Sequence, residues 1–536
     1  MKMTREHLAG TSVLTGFFLR RDRVKLPVWV GSLGVFVLYI GSALPQIAPE
    51  RQDLEGMVTL FSQPVGRMFT GPAFGMDDPS YERFFATGYA PYLFLLAALM
   101  NILLITRHTR GEEQTGRAEL VRANVVGRHA PLTAALLVAL ITNALVFVVV
   151  SAVAIGVGFA PAGSVLVAAG AALTGIAFAG ITATTAQLTE FSRTAAGLAG
   201  IVLGISFALR AVGDMAALGG SAFSWFSPLG WPAQVAPYVY NRSAPLLLLL
   251  TMAGGTIVAA FALQGRRDHG ASLIAPRPGR AGAGAFLGTP FGASLRIQRG
   301  LLLGWAAGIL AFGAIDGAFM QALVDAGDDM PEAIQEVLGS GALVDSYLAF
   351  LGIFTSVLVC AYAISALQTV RGEELAERAD LVLATPVSRG RWFGSHLLVI
   401  ALGAAAVTTL TGLGTGIAAG WSTGDWGLVA TTASAHLALL PAVLVVLSIG
   451  GALYSWAPRF LAPVSWLLVG FIAVVAIFGS LLNLPGWLVD ISPFEHLAAV
   501  PEQTFAAAPF GLLLVLAAIG ACAALLGIRR REINVV

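Results

Sequence analysis

The sequence predicts an all-α polytopic membrane protein with about twelve transmembrane helices, arranged as two parallel six-helix repeats. Three observations predict this fold: hydrophobic residues make up 57% of the 536-residue chain, charged residues make up only 11%, and long apolar runs recur throughout. Soluble domains carry about 25% charged residues, so the composition excludes an ordinary soluble protein. The runs lack two-residue alternation, which argues against a β-barrel.

Twelve apolar runs are long enough to cross about 30 Å of hydrocarbon, which takes a helix of roughly 20 residues. They lie at residues 26–44, 85–105, 132–158, 164–188, 194–213, 244–264, 301–322, 346–367, 394–418, 428–455, 460–480 and 507–528. The first run follows a long charged prelude whose pattern recurs near residue 299, so we expect a retained membrane helix rather than a signal peptide.

An internal repeat divides the chain into halves. Residues 110–128 align without a gap on residues 371–389, with eleven of nineteen positions identical. The pattern Leu-Arg-x-x-Arg before a tryptophan also recurs, at residues 19–29 and 295–305. We predict a first half at 1–264, a cytoplasmic linker at 265–290 and a second half at 291–536. Six helices is an even number, so both halves have the same orientation.

The distribution of basic residues predicts the topology. Only five of the 31 basic residues fall outside the two termini and alternate loops. Because cytoplasmic loops carry the excess of lysine and arginine, both termini are expected in the cytoplasm of a multi-pass cell-membrane protein. The opposite loops lean acidic, as in the runs around residues 50–82 and 325–345. Segments 5–25 and 286–299, which precede the first helix of each half, suit either an interfacial helix or a plain positive anchor.

The sequence carries no signature of catalysis. A phosphate-binding loop of an ATPase needs a lysine after its glycines, and the only lysines are Lys2 and Lys25. The histidines are scattered and the two cysteines lie far apart within apolar runs. We therefore expect no catalytic residue, no metal and no cofactor in this chain, and no nucleic-acid partner.

We call residues 110–128 and 371–389 the first and second charged segments. On a continuous helix, Glu113 would pair with Arg117, and Glu374 with Arg378, one turn apart. One interpretation is topological, since arginines beside a membrane hold a loop inside. That bias does not require the paired glutamates. A duplicated docking surface explains both charges, and it predicts two copies of one partner.

These residues also carry a family resemblance, which covers essentially the whole chain. A charged cytoplasmic segment after the second helix, repeated in a second six-helix half, resembles ABC-2-type transporter permeases. The opening residues 19–29 and the Arg-Gly-Glu-Glu segments resemble the fused twelve-helix permeases of actinobacterial polyketide-antibiotic (tetronasin-type) and multidrug exporters.

The resemblance implies an ATP-driven exporter of hydrophobic or amphipathic compounds, with ATP and Mg on a separate ATP-binding subunit present in two copies. It implies elbow helices before each first span and coupling helices in the charged segments. The expected coupling residues are Arg110, Glu112, Glu113, Arg117, Arg371, Glu373, Glu374 and Arg378. Residues of an outer gate are expected at Ser227, Pro228, Trp231, Ser492 and Pro493.

Polar and aromatic residues inside the apolar runs give further expectations. Tyr89, Tyr92, Phe94 and Asp316 are candidates for a substrate pathway, although core, lipid-facing or interfacial positions explain them equally well. Arg210 with Asp214 predicts a structural ion pair, while Asn101 and Asn143 predict hydrogen bonds between helices. Membrane lipids and an apolar cargo are the expected small-molecule contacts.

Two other functions compete with this interpretation. An ion-driven transporter of the major-facilitator type also has twelve helices, but the Arg-Gly-Glu-Glu segment does not match its loop signature and Asp316 is nearly alone as a buried carboxylate. A membrane-embedded lipid transferase would need clustered Asp and His, which the sequence lacks. Dependence on a separate ATPase discriminates the first alternative, and product formation from lipid discriminates the second.

Overall fold

The computed structural model describes residues 7–268, 270–274, 282, 284–326, 343–482 and 485–531. Within these ranges the regular secondary structure consists of helices, without a strand. Polar backbone groups in hydrocarbon must bond within the protein, which helices achieve inside a single segment. The predicted all-α class is confirmed.

Twelve helices in the described residues are long and apolar enough to span a membrane, as predicted. We number these spans in chain order. The spans are Lys25–Ile47, Tyr81–Gln114, Ala130–Gly156, Pro161–Leu188, Ser192–Ala216, Ala244–Gln264, Pro290–Asp325, Leu343–Leu375, Arg389–Thr423, Leu428–Trp456, Pro458–Ala476 and Ala507–Arg530. Each coincides with one predicted apolar run, and several extend beyond it by a turn or more.

The chain divides into two compact units, Met1–Pro278 and Gly279–Val536, each with six of the twelve spans. The division falls inside the segment expected to be a linker. Part of that segment, including Arg277 and Arg280, lies outside the described residues, and so do most of the acidic residues expected between the seventh and eighth spans.

The fourth span is the centre of the first unit and packs against the second, third, fifth and sixth spans. Small residues make this possible: a Cβ at Gly175 would lie 2.0 Å from Oδ1 of Asn143 and 2.5 Å from Nδ2 of Asn101. These asparagines exchange two hydrogen bonds, of 2.8 and 3.1 Å, between the second and third spans. The predicted link between helices is confirmed, and its close packing follows from the missing side chain at Gly175.

The second span contains a local widening. Its helix passes through a π-helical turn at Phe85–Tyr89 before continuing as Ala90–His108. Pro91 lacks an N–H and cannot complete the ordinary α-helical ladder at this point, which accounts for the altered hydrogen bonding.

In the second unit the eighth span takes the central place, against the seventh, ninth, tenth and eleventh spans. The seventh and ninth spans approach closely at Gly313 and Gly317, which face Thr411 and Thr415. As in the first unit, glycine allows one helix backbone to approach another.

The two units differ where each begins. In the first unit a separate helix, Thr11–Arg21, precedes the first span and is divided from it by a turn. In the second unit Pro290–Ala326 is one continuous helix, so segment 286–299 forms no separate elbow. The turn of the first unit contains Asp22, whose carboxylate bonds to Arg107 and His108 of the second span, whereas its repeat counterpart, Gln298, lies within the continuous helix.

Candidate functional site

Both charged segments adopt the same backbone shape. The second span continues through Arg110–Gln114, turns, and resumes as the six-residue helix Arg117–Arg122. The eighth span continues to Leu375, turns, and resumes as Arg378–Leu383. The turn contains a left-handed residue at the same repeat position, Gly116 with φ 70° and Glu377 with φ 59°.

This turn overturns one sequence prediction. Glu113 does not pair with Arg117, nor Glu374 with Arg378, because the left-handed residue between them breaks the helix that would place them on one face. The two glutamates point instead toward the body of their own unit, where they take different partners.

In the first unit Glu113 is held by two arginines. Arg110, three residues earlier, donates to Oε2 at 2.6 Å, and Arg267, just after the sixth span, donates to Oε1 at 2.7 Å. Arg110 is fully buried and also donates to the carbonyl oxygens of Ala186 and Ala271. This Arg–Glu–Arg clamp therefore joins the end of the second span to the fourth span and to the chain that leaves the sixth.

The second unit repeats the clamp. Glu374, 1% exposed, accepts from Arg371, three residues earlier, at 2.7 Å. It also accepts from Arg531, just after the twelfth span, and from the hydroxyl of Tyr454 at 2.7 Å. Charge-assisted bonds of this kind are stronger than neutral ones, and breaking a buried pair costs about 3–5 kcal/mol. Each clamp therefore joins the end of the span that precedes the turn to the residues just after the last span of the same unit.

The surroundings of the first clamp are charged. Glu112 pairs with Arg21 at the end of the N-terminal helix. The next residue, Asp22, lies 2.6 Å from Nε2 of His108 and 3.0 Å from Arg107. These bonds attach the N-terminal helix to the base of the second span.

The surroundings of the second clamp are mostly neutral. Gln298, the counterpart of Asp22, donates to the carbonyl of Ala366 at 3.1 Å. The repeat counterpart of Arg21 is Ile297, and Glu373 accepts two bonds, of 2.9 and 2.6 Å, from Arg378. These bonds raise the pKa of Arg378 above its usual value.

Each six-residue helix presents an exposed leucine at the same repeat position: Leu120 is 73% exposed and Leu381 is 75% exposed. Arg117 and Arg378, at the start of each helix, are exposed as well. The other six residues expected to contact a partner are buried or half-buried: Arg110, Glu112, Glu113, Arg371, Glu373 and Glu374.

The residues expected at an outer gate lie after the fifth and eleventh spans. Ser227 is buried and donates to the carbonyl of Ser206 at 2.5 Å, while its oxygen accepts from the N–H groups of Leu229 and Gly230, just before and at the start of the short helix Gly230–Ala233. Pro228 is buried beside it, and Trp231 donates to the carbonyl of Trp225. In the second unit Ser492 and Pro493 are also buried, and the hydroxyl of Ser492 has no hydrogen bond within the described residues. The gate itself stays a prediction.

Arg210 and Asp214 form the predicted structural ion pair, at 3.2 Å, with both side chains fully buried. Arg210 also donates to the carbonyl oxygens of Met68 and Thr70, which end the short helix Pro64–Phe69. A cation at a helix C-terminus satisfies its unpaired carbonyls. This pair stabilises the end of the first unit opposite its clamp.

The candidate pathway residues have separate environments. Phe94 is buried in the core of the first unit and packs against Gly170 of the fourth span. Tyr89, in the π-helical turn, and Tyr92 are half-buried. Asp316 of the seventh span accepts from the hydroxyl of Tyr347 at 3.1 Å. Their role in a pathway stays a prediction.

The sequence analysis did not predict a role for the clamp partners Arg267 and Arg531, or for Arg21 and Tyr454. Their signal was positional: each clamp arginine follows the last apolar run of its half, at Gln264-Gly-Arg-Arg267 and Ile528-Arg-Arg-Arg531. Among the described residues, no group of three or more His, Cys, Asp and Glu side chains is arranged to hold a metal ion.

Comparison with known proteins identifies the family. The family described as "Multidrug efflux system permease Rv1217c, C-terminal domain" matches residues 12–263 and 287–529. The chain is 36% identical over 533 residues to the multidrug efflux system permease protein Rv1217c of Mycobacterium tuberculosis (strain ATCC 25618 / H37Rv), covering 98% of this chain and 95% of that protein. With a match across nearly its full length, the chain belongs to this family of multidrug efflux permeases.

Proposed function

We propose that the chain is the permease subunit of an ATP-driven exporter of the ABC-2 type, resembling the tetronasin-type permeases. Two copies of a separate ATP-binding subunit dock on it, one on each charged segment. The observation that carries the proposal is the duplicated device: a span, a left-handed turn and a short exposed helix, fixed by the same Arg–Glu–Arg clamp in each unit.

The two parts of each charged segment have different tasks in this proposal. The exposed residues Arg117 and Leu120, with Arg378 and Leu381, contact the ATP-binding subunit. Arginine is enriched among the residues that dominate binding energy, and each exposed leucine adds apolar area to bury beside it. The buried or half-buried members of the predicted set act through the body of the permease. They hold the short helix in a fixed relation to the spans.

The clamp explains how a partner's movement would reach the membrane. A displacement of the first short helix is passed to the second span through the chain, and to the fourth and sixth spans through Arg110 and Arg267. A partner shifts a conformational equilibrium only by binding one state better than the other. Rigid attachment converts that difference into movement of spans rather than of a loop.

ATP and Mg belong to the partner in this proposal, and the cargo is a hydrophobic or amphipathic compound. The relative's name describes multidrug efflux, and the scarcity of membrane charges fits an apolar cargo. Tyr89 and Tyr92 remain proposed pathway residues, as do Asp316 and the gate residues. Both termini, with their basic residues, lie in the cytoplasm of the cell-membrane protein.

The test combines docking with coupling. The tagged chain is purified from its native membrane and assayed for a co-purifying ATP-binding protein and for drug-stimulated ATP hydrolysis. Arg117→Glu with Arg378→Glu reverses both exposed charges and removes co-purification and stimulation together. Glu113→Gln with Glu374→Gln keeps the surface intact, so the partner is recovered but stimulation is lost.

Arg242→Glu is the matched control, because it reverses an exposed arginine of the first unit outside the charged segments. It leaves recovery and stimulation unchanged. Recovery of the chain without an ATP-binding protein, together with export driven by a proton gradient, would replace the proposal with an ion-driven transporter.

A further inference from the structure

A groove of about 700 Å³ lies at the start of the second unit, beside the seventh span. One wall is the short helix Ala285–Gly288 with the glycines that precede it, and the other is the face of the seventh span that runs through residues 292–303. We call it the entry groove. Its size is in the range of small-molecule sites.

The backbone fixes the shape of the entry groove. A Cβ at Gly292 would lie 2.0 Å from the carbonyl oxygen of Phe286, so the missing side chain allows the short helix to lie against the span. The hydroxyl of Thr289 donates to that same carbonyl at 2.8 Å and accepts from the N–H of Gly292 at 3.0 Å. The two walls are therefore held together by direct contacts.

The charged and apolar parts of the groove follow one another along the span. Arg296 and Arg299 lie one helical turn apart on the same face, and Leu302 and Leu303 lie on the next turn. At 1.5 Å per residue, Leu303 is about 6 Å beyond Arg299 along the helix axis. The predicted apolar run of this span begins at residue 301, so the arginines lie at the depth of lipid headgroups and the leucines at the edge of the hydrocarbon.

Both arginines are exposed, and neither has a hydrogen bond or an ion pair with another described residue. The sequence around them is basic, because four arginines and no acidic residue occur between Asp268 and Asp316. Like charges one turn apart on a helix repel each other. A phosphate between the two guanidinium groups would remove that repulsion and accept their paired N–H donors.

The apolar part of the groove distinguishes a lipid from a free phosphate ester. Phe286, on the wall opposite the span, is 55% exposed, and Leu303 is 67% exposed. A small phosphate ester would satisfy the arginines and leave these side chains uncovered. An acyl chain attached to the phosphate covers them as well, which is favourable because it removes apolar surface from water.

From this geometry we propose that the entry groove binds an anionic glycerophospholipid, with its phosphate on Arg296 and Arg299 and an acyl chain against Phe286 and Leu303. Segment 286–299 is then a specific lipid site rather than a plain positive anchor. The proposal needs neither the ATP-binding subunit nor transport, so it stands or fails independently of the proposed function.

The first unit provides an internal contrast. Arg20 and Arg23 are the counterparts of the two groove arginines in the repeated Leu-Arg-x-x-Arg pattern. The helix Thr11–Arg21 ends between them, and a turn separates it from the first span. These two arginines therefore do not share one helical face, and they supply a matched control.

The experiment is native mass spectrometry of the purified full-length chain in detergent. The chain is titrated with palmitoyl-oleoyl phosphatidylglycerol and, separately, with the phosphatidylcholine that has the same acyl chains. We expect the first phosphatidylglycerol to bind at least about tenfold more tightly, because the choline cation of the other lipid is repelled by the arginines. Glycerophosphate, which has no acyl chain, should not displace the bound lipid at equal concentration.

Three variants locate the site. Arg296→Gln with Arg299→Gln removes both charges, which weakens phosphatidylglycerol binding by about tenfold or more and abolishes the preference over phosphatidylcholine. Arg20→Gln with Arg23→Gln makes the same change in the first unit and leaves both affinities unchanged. Phe286→Ala shortens the apolar wall and weakens the binding of both lipids alike. All five positions are exposed, so we expect these variants to fold.

Unchanged phosphatidylglycerol binding in the Arg296/Arg299 variant would overturn the proposal. An equal loss in the Arg20/Arg23 variant would overturn it as well, because a general attraction of basic segments to anionic lipid would then explain the binding. Equal binding of the two lipids to the wild type would contradict the charge selection. Displacement by glycerophosphate, or unchanged binding in Phe286→Ala, would contradict the contact with an acyl chain.

Discussion

The two charged segments share one clamp and differ in what surrounds it. Glu113 and Glu374 are each bonded to an arginine three residues earlier and to an arginine after the last span of the unit. Around the first clamp lie the buried Asp22–His108 pair and the Arg21–Glu112 pair. Around the second clamp, Gln298 is neutral, and Glu373 accepts a hydrogen bond from Arg378 of its own charged segment.

The clamp, which both units share, indicates what both units need. The bonds around the clamp, which differ, indicate what only one unit uses. Both units bond the end of the span that leads into the short helix to the residues just after the last span. Among the described residues, the base of the second span is tied to a separate N-terminal helix through Arg21 and Asp22, whereas the second unit begins with one continuous helix.

Breaking each clamp should give the largest effect, and a larger one in the second unit. Glu374→Ala leaves two arginines and Tyr454 without their shared partner in a buried site, for a loss of about 3–5 kcal/mol in the free energy of unfolding. Glu113→Ala should cost less, about 2 kcal/mol, because Glu113 is more exposed and both of its arginines keep carbonyl or amide partners.

Chemical unfolding of the two variants in the same detergent measures this difference. Equal losses would mean that burial does not set the strength of the clamp. A negligible loss in both would show that the clamp is not a stabilising feature of either unit.

Neutralising the junction with the N-terminal helix should give a smaller effect that is confined to the first unit. Asp22→Asn weakens bonds to Arg107 and His108, at a cost of about 2 kcal/mol, typical of hydrogen bonds to charged groups. Gln298→Leu removes one bond together with a buried oxygen that has no partner, so it should change the unfolding free energy by less than about 1 kcal/mol.

The same unfolding assay applies, with proteolytic cleavage near residue 23 as a local readout of N-terminal helix detachment. A large loss from Gln298→Leu would contradict the distinction between a charged junction in one unit and a neutral one in the other.

The smallest effects should come from the turns, and with opposite signs. Gly116→Ala forces a side chain into a left-handed conformation and should destabilise by about 1 kcal/mol, although nothing lies within 4 Å of the added Cβ. Glu377→Gly relieves the same backbone strain but raises the conformational entropy of the unfolded chain. The gain in the free energy of unfolding should therefore stay below about 1 kcal/mol. The thermal unfolding midpoints of these two variants test the prediction. Shifts of the same sign would contradict it.

The spans could be predicted because bilayer thickness fixes their length, and each of the twelve apolar runs became a helix. The bond between Asn101 and Asn143 followed from the rule that polar side chains inside a membrane bond to one another. The clamp could not be predicted, because Arg267 lies 154 residues from Glu113 and Arg531 lies 157 residues from Glu374. Such pairs are set by how spans pack, which periodicity does not encode.

The predicted pairing of Glu113 with Arg117, and of Glu374 with Arg378, was wrong for a local reason. A regular helix through residues 110–122 places Glu113 beside Arg117, but Gly116 ends that helix after one turn. In the first copy, Gly116 indicated a turn. In the second copy, Glu377 occupies the same position and gave no such indication, since glutamate rarely adopts positive φ.

The central claim is that each charged segment docks one ATP-binding subunit, and the mass of the intact complex tests it most directly. Native mass spectrometry of the purified complex should give two ATP-binding subunits per chain for the wild type, one for Arg117→Glu, one for Arg378→Glu and none for the double variant. Two bound subunits in the double variant, with both segments folded, would contradict the claim.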